Sequence, residues 1–252
     1  QQGSHKIHFE IKYGKDEKKS NDILDVRLYA AKMSLGDVTD FKKLNKSEFE
    51  FISGYSKVKL MFYRNDIFRI WLAQDGEYTN PAGNAIVVDY GKKNPSVSVS
   101  ENSRYYRFST PACVVRVYKK PLRFALYDKA DKKMIFEEKE PLSFGAKTYQ
   151  TLKRGGKEYF YGGGMQQGRF SHGGTDLDIS ITGWHEDQVS NPVPFYMSSN
   201  GYGVFRNTFA PGKYSFSGVG QVAAEDGMKI EYSSTLSHNE NRLDAFYIYG
   251  PT

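Results

Sequence analysis

The residues best equipped for chemistry fall in two neighbouring segments. Gly183-Trp184-His185-Glu186-Asp187 puts an indole, an imidazole and two carboxylates into four consecutive positions, and Gln188-Val189-Ser190-Asn191-Pro192 follows. Upstream, Tyr159-Phe160-Tyr161-Gly162-Gly163-Gly164 leads through Met165-Gln166-Gln167-Gly168 to Arg169 and His172. His185, Glu186 and Asp187 are poor metal ligands as a set, because adjacent residues rarely converge on one ion and no second cluster stands elsewhere. Glu186 and Asp187, as sequence neighbours, do not define the fixed separation across a scissile bond that glycoside hydrolysis demands. The glycine triplet is not a phosphate loop, since no Gly-Lys-Ser/Thr and no helical pattern follows it. There is no Gly-x-Ser-x-Gly elbow, and His5, His8, His172, His185 and His238 show no ligand spacing. These residues therefore suit binding, with no self-contained active site, no metal and no cofactor expected. The plain alternatives are a glycine turn without function and an Asp187 that only caps a turn.

The elements that must position them read as strands. Over 176–182, Leu177, Ile179 and Ile181 alternate with Asp178, Ser180 and Thr182, a period of two with one face to a core. Residues 67–73 behave alike, with Phe68, Ile70 and Leu72 opposite Arg69. Val114–Tyr118 and Leu122–Tyr127 are two further runs, broken at Pro121, which cannot donate to a central ladder. Asn200-Gly201 separates 194–199 from 202–208 and predicts a type I′ hairpin with φ > 0 at both central residues. Asp75-Gly76, Arg64-Asn65-Asp66 and Asp226-Gly227 are further turn signals, and strands are expected at 228–236 and 245–249. The best helical signal is a short turn over 38–44. Residues 14–22 are the most loop-like, so 1–35 is expected to add a small leading hairpin. A dozen or more strands without intervening helices exclude a doubly wound sheet. The prediction is an all-β chain, a large two-sheet antiparallel sandwich, with 183–191 a loop between two strands, where binding residues concentrate.

Composition agrees. The 252 residues include 19 Tyr and 17 Phe against 2 Trp, a bias toward pleated, half-buried surfaces and also a supply of ring faces that can stack on sugars. A chain this long can bury a large core without staples. The net charge of +6 comes from 35 basic and 29 acidic residues that are interspersed, with no basic stripe or motif of a nucleic-acid binder. Cys113, the single cysteine, sits in an apolar run and reads as a buried, inert thiol. No stretch approaches the ~18 consecutive apolar residues of a membrane span. The chain opens at Gln1-Gln2 without Met, as a mature start after removal of a signal peptide would, and a secreted or periplasmic bacterial location is expected.

Five motifs in order carry a resemblance. Tyr161-Gly162-Gly163-Gly164, Trp184-x-x-Asp187, Pro194-Phe195-Tyr196-Met197-Ser198, Gly201-Tyr202-Gly203-Val204-Phe205 and Tyr247-Ile248-Tyr249-Gly250-Pro251 resemble the N-terminal domain of glycoside hydrolase family 31, over about residues 55–252. Asp66-Ile67-Phe68-Arg69-Ile70 resembles that family's early strand ending in Arg. The resemblance implies a galactose-mutarotase-like sandwich placed before a (β/α)₈ barrel, whose two Asp residues perform a retaining, cofactor-free hydrolysis of α-glucosides or related sugars. That barrel is expected after residue 252, so the fragment alone is expected to be inactive. The match further implies that Asp187 contacts the sugar, accepting two hydroxyls in charge-assisted bonds, with Trp184 as a wall and Arg169 and His172 on the adjoining turn. The segment Gly162–His172 departs from the shorter Gly-x-Gly-Glu form of many members and resembles a bacterial, polysaccharide-directed subset. Two other functions stay open: a free-standing carbohydrate-binding module, supported by the aromatic load and Trp184, and a mutarotase-like epimerase, suggested by fold analogy alone.

Overall fold

The structure, a computed structural model, describes residues 32–79, 95–166, 170–184, 188–225 and 227–250. The described residues contain nineteen strands and no helix. In chain order these are β1 Met33–Ser34, β2 Asp40–Lys43, β3 Glu48–Ser53, β4 Ser56–Phe62, β5 Ile67–Ala73, β6 Ser98–Glu101 and β7 Tyr105–Ser109. Next come β8 Cys113–Lys119, β9 Leu122–Asp128, β10 Met134–Glu138, β11 Ser143–Phe144, β12 Thr148–Arg154 and β13 Phe160–Gly164. The chain continues with β14 Asp176–Ile179, β15 Pro192–Ser198, β16 Tyr202–Arg206, β17 Gly212–Ala224, β18 Gly227–His238 and β19 Leu243–Tyr249.

Eleven strands form one antiparallel sheet, ordered β14-β17-β18-β12-β10-β9-β8-β7-β6 with β1 and β11 joined to it through β12. The other eight form a second, β13-β15-β16-β19-β5-β4-β3-β2. The two face each other across a single core in which aromatic rings meet from opposite sheets. Phe160 stacks on Phe216 at 4.1 Å between centroids, Phe136 meets Tyr247 at 5.4 Å, and Phe51 meets Phe108 edge-on at 5.8 Å. Such pairs contribute about 0.5–1.5 kcal/mol each beyond the area they bury. Much of the aromatic load is thus core, and among the described residues the exposed rings are few: Tyr55, Tyr159, Phe170, Trp184 and Phe209.

The alternation expected over 176–182 holds in β14, where Leu177 and Ile179 are buried and Asp176 and Asp178 face out, but the strand ends at Ile179 and Ile181 is exposed. Cys113 is buried, and burial pushes its thiol up to about 11, which keeps it protonated and unreactive. Two expectations change. Residues 40–43 are strand, because Phe41 stacks on Phe51 at 5.2 Å and pairs in register with it across β2 and β3; that packing overrides a weak local signal. The turn after β15 has three residues, with Ser198 paired to Tyr202, Gly201 N–H donating to Ser198 O, and positive φ at Gly201 but not at Asn200. It is the type I turn plus left-handed glycine, a longer solution to the same hairpin. Of the leading hairpin expected over 1–35, residues 1–31 lie outside the described residues, and Met33–Ser34 pairs with β11 of the first sheet.

A polar chain crosses the core. Fully buried Glu138 accepts from Phe124 N–H (2.9 Å) and Gln150 Nε2 (2.7 Å), and Gln150 Oε1 accepts from Tyr247 Oη in the opposite sheet (2.7 Å). Burial raises the Glu138 carboxyl to about 7 despite these donors. On the outer side of the second sheet, Arg69 grips Asp244 with two bonds of 2.5 Å, and Asn207 Nδ2 adds a third at 2.7 Å.

Candidate functional site

One corner of the sandwich gathers the segments singled out by sequence. Gly162, Gly163 and Gly164 close β13 with φ of 113°, 80° and 83°, in the region that L side chains rarely adopt. The strand lies so close to β15 that a Cβ on Gly162 would sit 2.7 Å from Phe195 O, and the pairing register shifts between Gly162 and Gly164. His172 secures this strand from below. It is buried, its backbone N–H donates to Phe160 O (2.8 Å), and its Nε2 lies 3.1 Å from Gly162 O. A carbonyl can only accept, so Nε2 carries the proton. Burial lowers the His172 pKa, and the imidazole is neutral at pH 7.

The second segment is a closed loop. Thr182 N–H donates to Val189 O (2.9 Å) and Val189 N–H to Thr182 Oγ1 (2.8 Å), a two-bond clasp that joins the neck of the segment. Gly183, at φ 153°, has the Gln188 side-chain amide where a Cβ would point. Trp184, 75% exposed, projects from this neck. Asp187, with His185 and Glu186, lies outside the described residues, as does Arg169 on the glycine-rich turn.

Beside the clasp runs an open apolar groove of about 600 Å³, walled by residues 179–181, 190–194 and 208–211. Ile181, Val193 and Phe209 stand exposed along it, and Met165 lies close by, its N–H bonded to Asn191 O (2.9 Å). The Phe209 wall is held from inside the core. Ala210 O accepts from His238 Nδ1 (2.8 Å), and His238 Nε2 accepts from Tyr214 Oη (3.0 Å), which fixes the ring's tautomer. Burial, assisted by the nearby Arg206 charge, pulls His238 down to about 3, so it is neutral. Arg206 itself is buried, and its guanidinium nitrogens have no hydrogen-bond acceptor among the described residues. Among the described residues there is no group of three His, Cys, Asp or Glu arranged to hold a metal, and no helix long and apolar enough to cross a membrane.

Residues 57–214 match the family model described as the glycosyl hydrolase 31 N-terminal galactose mutarotase-like domain. The chain belongs to that family. A search of curated protein sequences finds no match. Solved structures share the family domain's fold. A glycoside hydrolase family 31 dextranase of Flavobacterium johnsoniae, solved with isomaltotriose, superposes with a TM-score of 0.71 at 22% identity over 86% of this chain. The cycloalternan-forming enzyme of Listeria monocytogenes, in complex with a pentasaccharide substrate, gives 0.69 at 18% over 87%. A family 31 α-xylosidase from a soil metagenome, complexed with xylose, gives 0.64 at 19% over 85%. This domain spans 27%, 21% and 33% of those longer chains.

Within the family 31 N-terminal domain, then, the structure brings together Trp184 and the glycine strand stapled by His172, on either side of the segment 188–194. Sequence reasoning missed the Thr182–Val189 clasp, the Phe209 wall and the His238–Tyr214 support. Phe209 alone left a signal: an aromatic set among Asn207, Thr208 and Pro211 is out of place in a solvent turn. Arg69 was placed on its strand by sequence, and its role is structural, as Asp244 accepts from its Nε and Nη2 and Tyr63 Oη accepts from its Nη1 (3.2 Å).

Proposed function

We propose that this domain is the non-catalytic, substrate-flanking part of a retaining α-glycosidase acting on oligo- or polysaccharides, with a (β/α)₈ barrel beyond residue 252 supplying the nucleophile and the acid/base. The observation that carries the reading is the clasped loop 183–188 beside an uncovered apolar groove on a family 31 N-terminal domain. A loop with a fixed neck keeps Trp184 in place at low entropic cost, as a binding wall requires. In this arrangement Asp187 accepts two hydroxyls of one sugar, Trp184 packs against a ring face, and Arg169 reaches in from the glycine-rich turn. His172 serves them indirectly, by holding the strand from which that turn departs. The groove, with Phe209 and Ile181 exposed, suits contact with the barrel's rim.

Rates and affinities of the 252-residue chain test this. It is expected to leave 4-nitrophenyl α-glucoside uncleaved above the uncatalysed background, and calorimetry with α-glucans is expected to detect little binding. Enzyme-like turnover would overturn the non-catalytic assignment. Affinity for neutral α-glucans that vanished in Trp184→Ala would favour a free-standing carbohydrate-binding module, the reading that Trp184's exposure also permits.

A further inference from the structure

A second groove lies at the seam between the end of β12 with the β12–β13 connection and the hairpin β17–β18, built from residues that the substrate-flanking role does not use. It has two adjoining lobes of about 580 and 440 Å³ that share Arg154, Gly156 and Tyr232. Tyr232 forms the ridge between them, with the Gly156 backbone against its ring and the Arg154 guanidinium 4.9 Å from its centroid. Tyr159, 53% exposed, walls the first lobe. Phenol rings presented at a groove surface are platforms for the apolar face of a pyranose, and exposed Ser217 adds a hydroxyl beside them.

The charge of the groove is one-sided. Four cations line it: Lys153, Arg154, Lys157 and Lys229. Two carboxylates do, Glu158 and Glu231, and both are occupied. Glu231 pairs with Lys139 at 2.9 Å, while Glu158 is buried and accepts from Gly155 N–H and Ser198 Oγ. Lys153 is matched by Glu137 at 3.0 Å. Among the described residues Lys157 and Lys229 have no ion-pair partner, and Arg154 spends two nitrogens on backbone carbonyls of Ser233 and Gly155. Groups that bind charged ligands charge-assisted are left facing the groove.

We propose that this groove is a binding site for an acidic oligosaccharide, with sugar rings against Tyr159 and Tyr232 and carboxylates or sulfates against Arg154, Lys157 and Lys229. The assignment rests on the carbohydrate reading of the domain but uses a different surface from loop 183–188. The test titrates the chain with polygalacturonate and with neutral dextran. Polygalacturonate is expected to bind, at least fivefold more weakly in Tyr159→Ala and in Lys157→Glu/Lys229→Glu, with unchanged thermal midpoints. Trp184→Ala and Lys43→Glu/Lys46→Glu, the latter an equal charge change beside β2 at the far edge of the second sheet, are expected to bind like the parent. Absence of polygalacturonate binding, equal binding of dextran, or equal loss in Lys43→Glu/Lys46→Glu would overturn the proposal. Loss confined to Trp184→Ala would also overturn it, while leaving the substrate-flanking reading in place.

Discussion

Gly162 shows what a single residue can reveal and what it conceals. Three consecutive glycines announce a backbone that needs left-handed conformations or close approach, and the structure uses them for both. Gly162→Ala is expected to destabilise the domain by about 2–3 kcal/mol, from strain at positive φ and collision with Phe195 O. Gly155→Ala, where a Cβ meets nothing closer than 3.9 Å, is expected to change stability by less than about 0.5 kcal/mol. Chemical denaturation of the two variants checks the contrast, and equal losses would contradict it. The identities of Arg69 and His172 were legible, but not their partners. Asp244 is 175 positions from Arg69 in sequence, and no local pattern encodes a contact made by the closing strand of a sheet.

Strand existence was legible wherever one face is buried and the other wet, because period-two alternation is the direct imprint of a sheet on sequence. It failed for β2, which is short and at an edge, and for the turn at Ser199-Asn200-Gly201, where loop length is set by the register of β15 against β16. Loop 183–191 was correctly placed between strands, yet its clasp was not foreseeable, since Thr182 and Val189 look like any β-forming pair. Thr182→Val keeps shape but removes the Oγ1 that accepts from Val189 N–H. Hydrogen exchange at the Val189 amide is expected to accelerate about tenfold, corresponding to ~1.4 kcal/mol of local opening, with global stability nearly unchanged. Exchange at the parent rate would show that the neck is held by other means.

At the scale of the molecule, two buried groups set opposite pH dependences. Glu138 holds its proton up to about 7 in the fold but releases it near 4.5 when unfolded, so its contribution is present below pH 4.5 and is lost as pH rises toward 7. His238 titrates near 3 in the fold and 6.5 unfolded, so unfolding takes up a proton in that window and stability falls as pH drops from 6.5 to 3. The two oppose each other between 4.5 and 6.5, leaving an acid limb to His238. Glu138→Gln removes one slope: between pH 5 and 7.5 its thermal midpoint is expected to rise relative to the parent's, by an amount equivalent to about 3 kcal/mol in full. Parallel curves for the two proteins would contradict the buried-proton account.

The central claim, that this domain flanks a sugar site completed elsewhere in a longer polypeptide, is tested most directly on that polypeptide with Asp187→Ala. The account predicts a raised KM or lowered kcat/KM toward the α-glycoside substrate, with the thermal midpoint unchanged. Kinetics equal to the parent enzyme's would contradict it and remove Asp187 from the site.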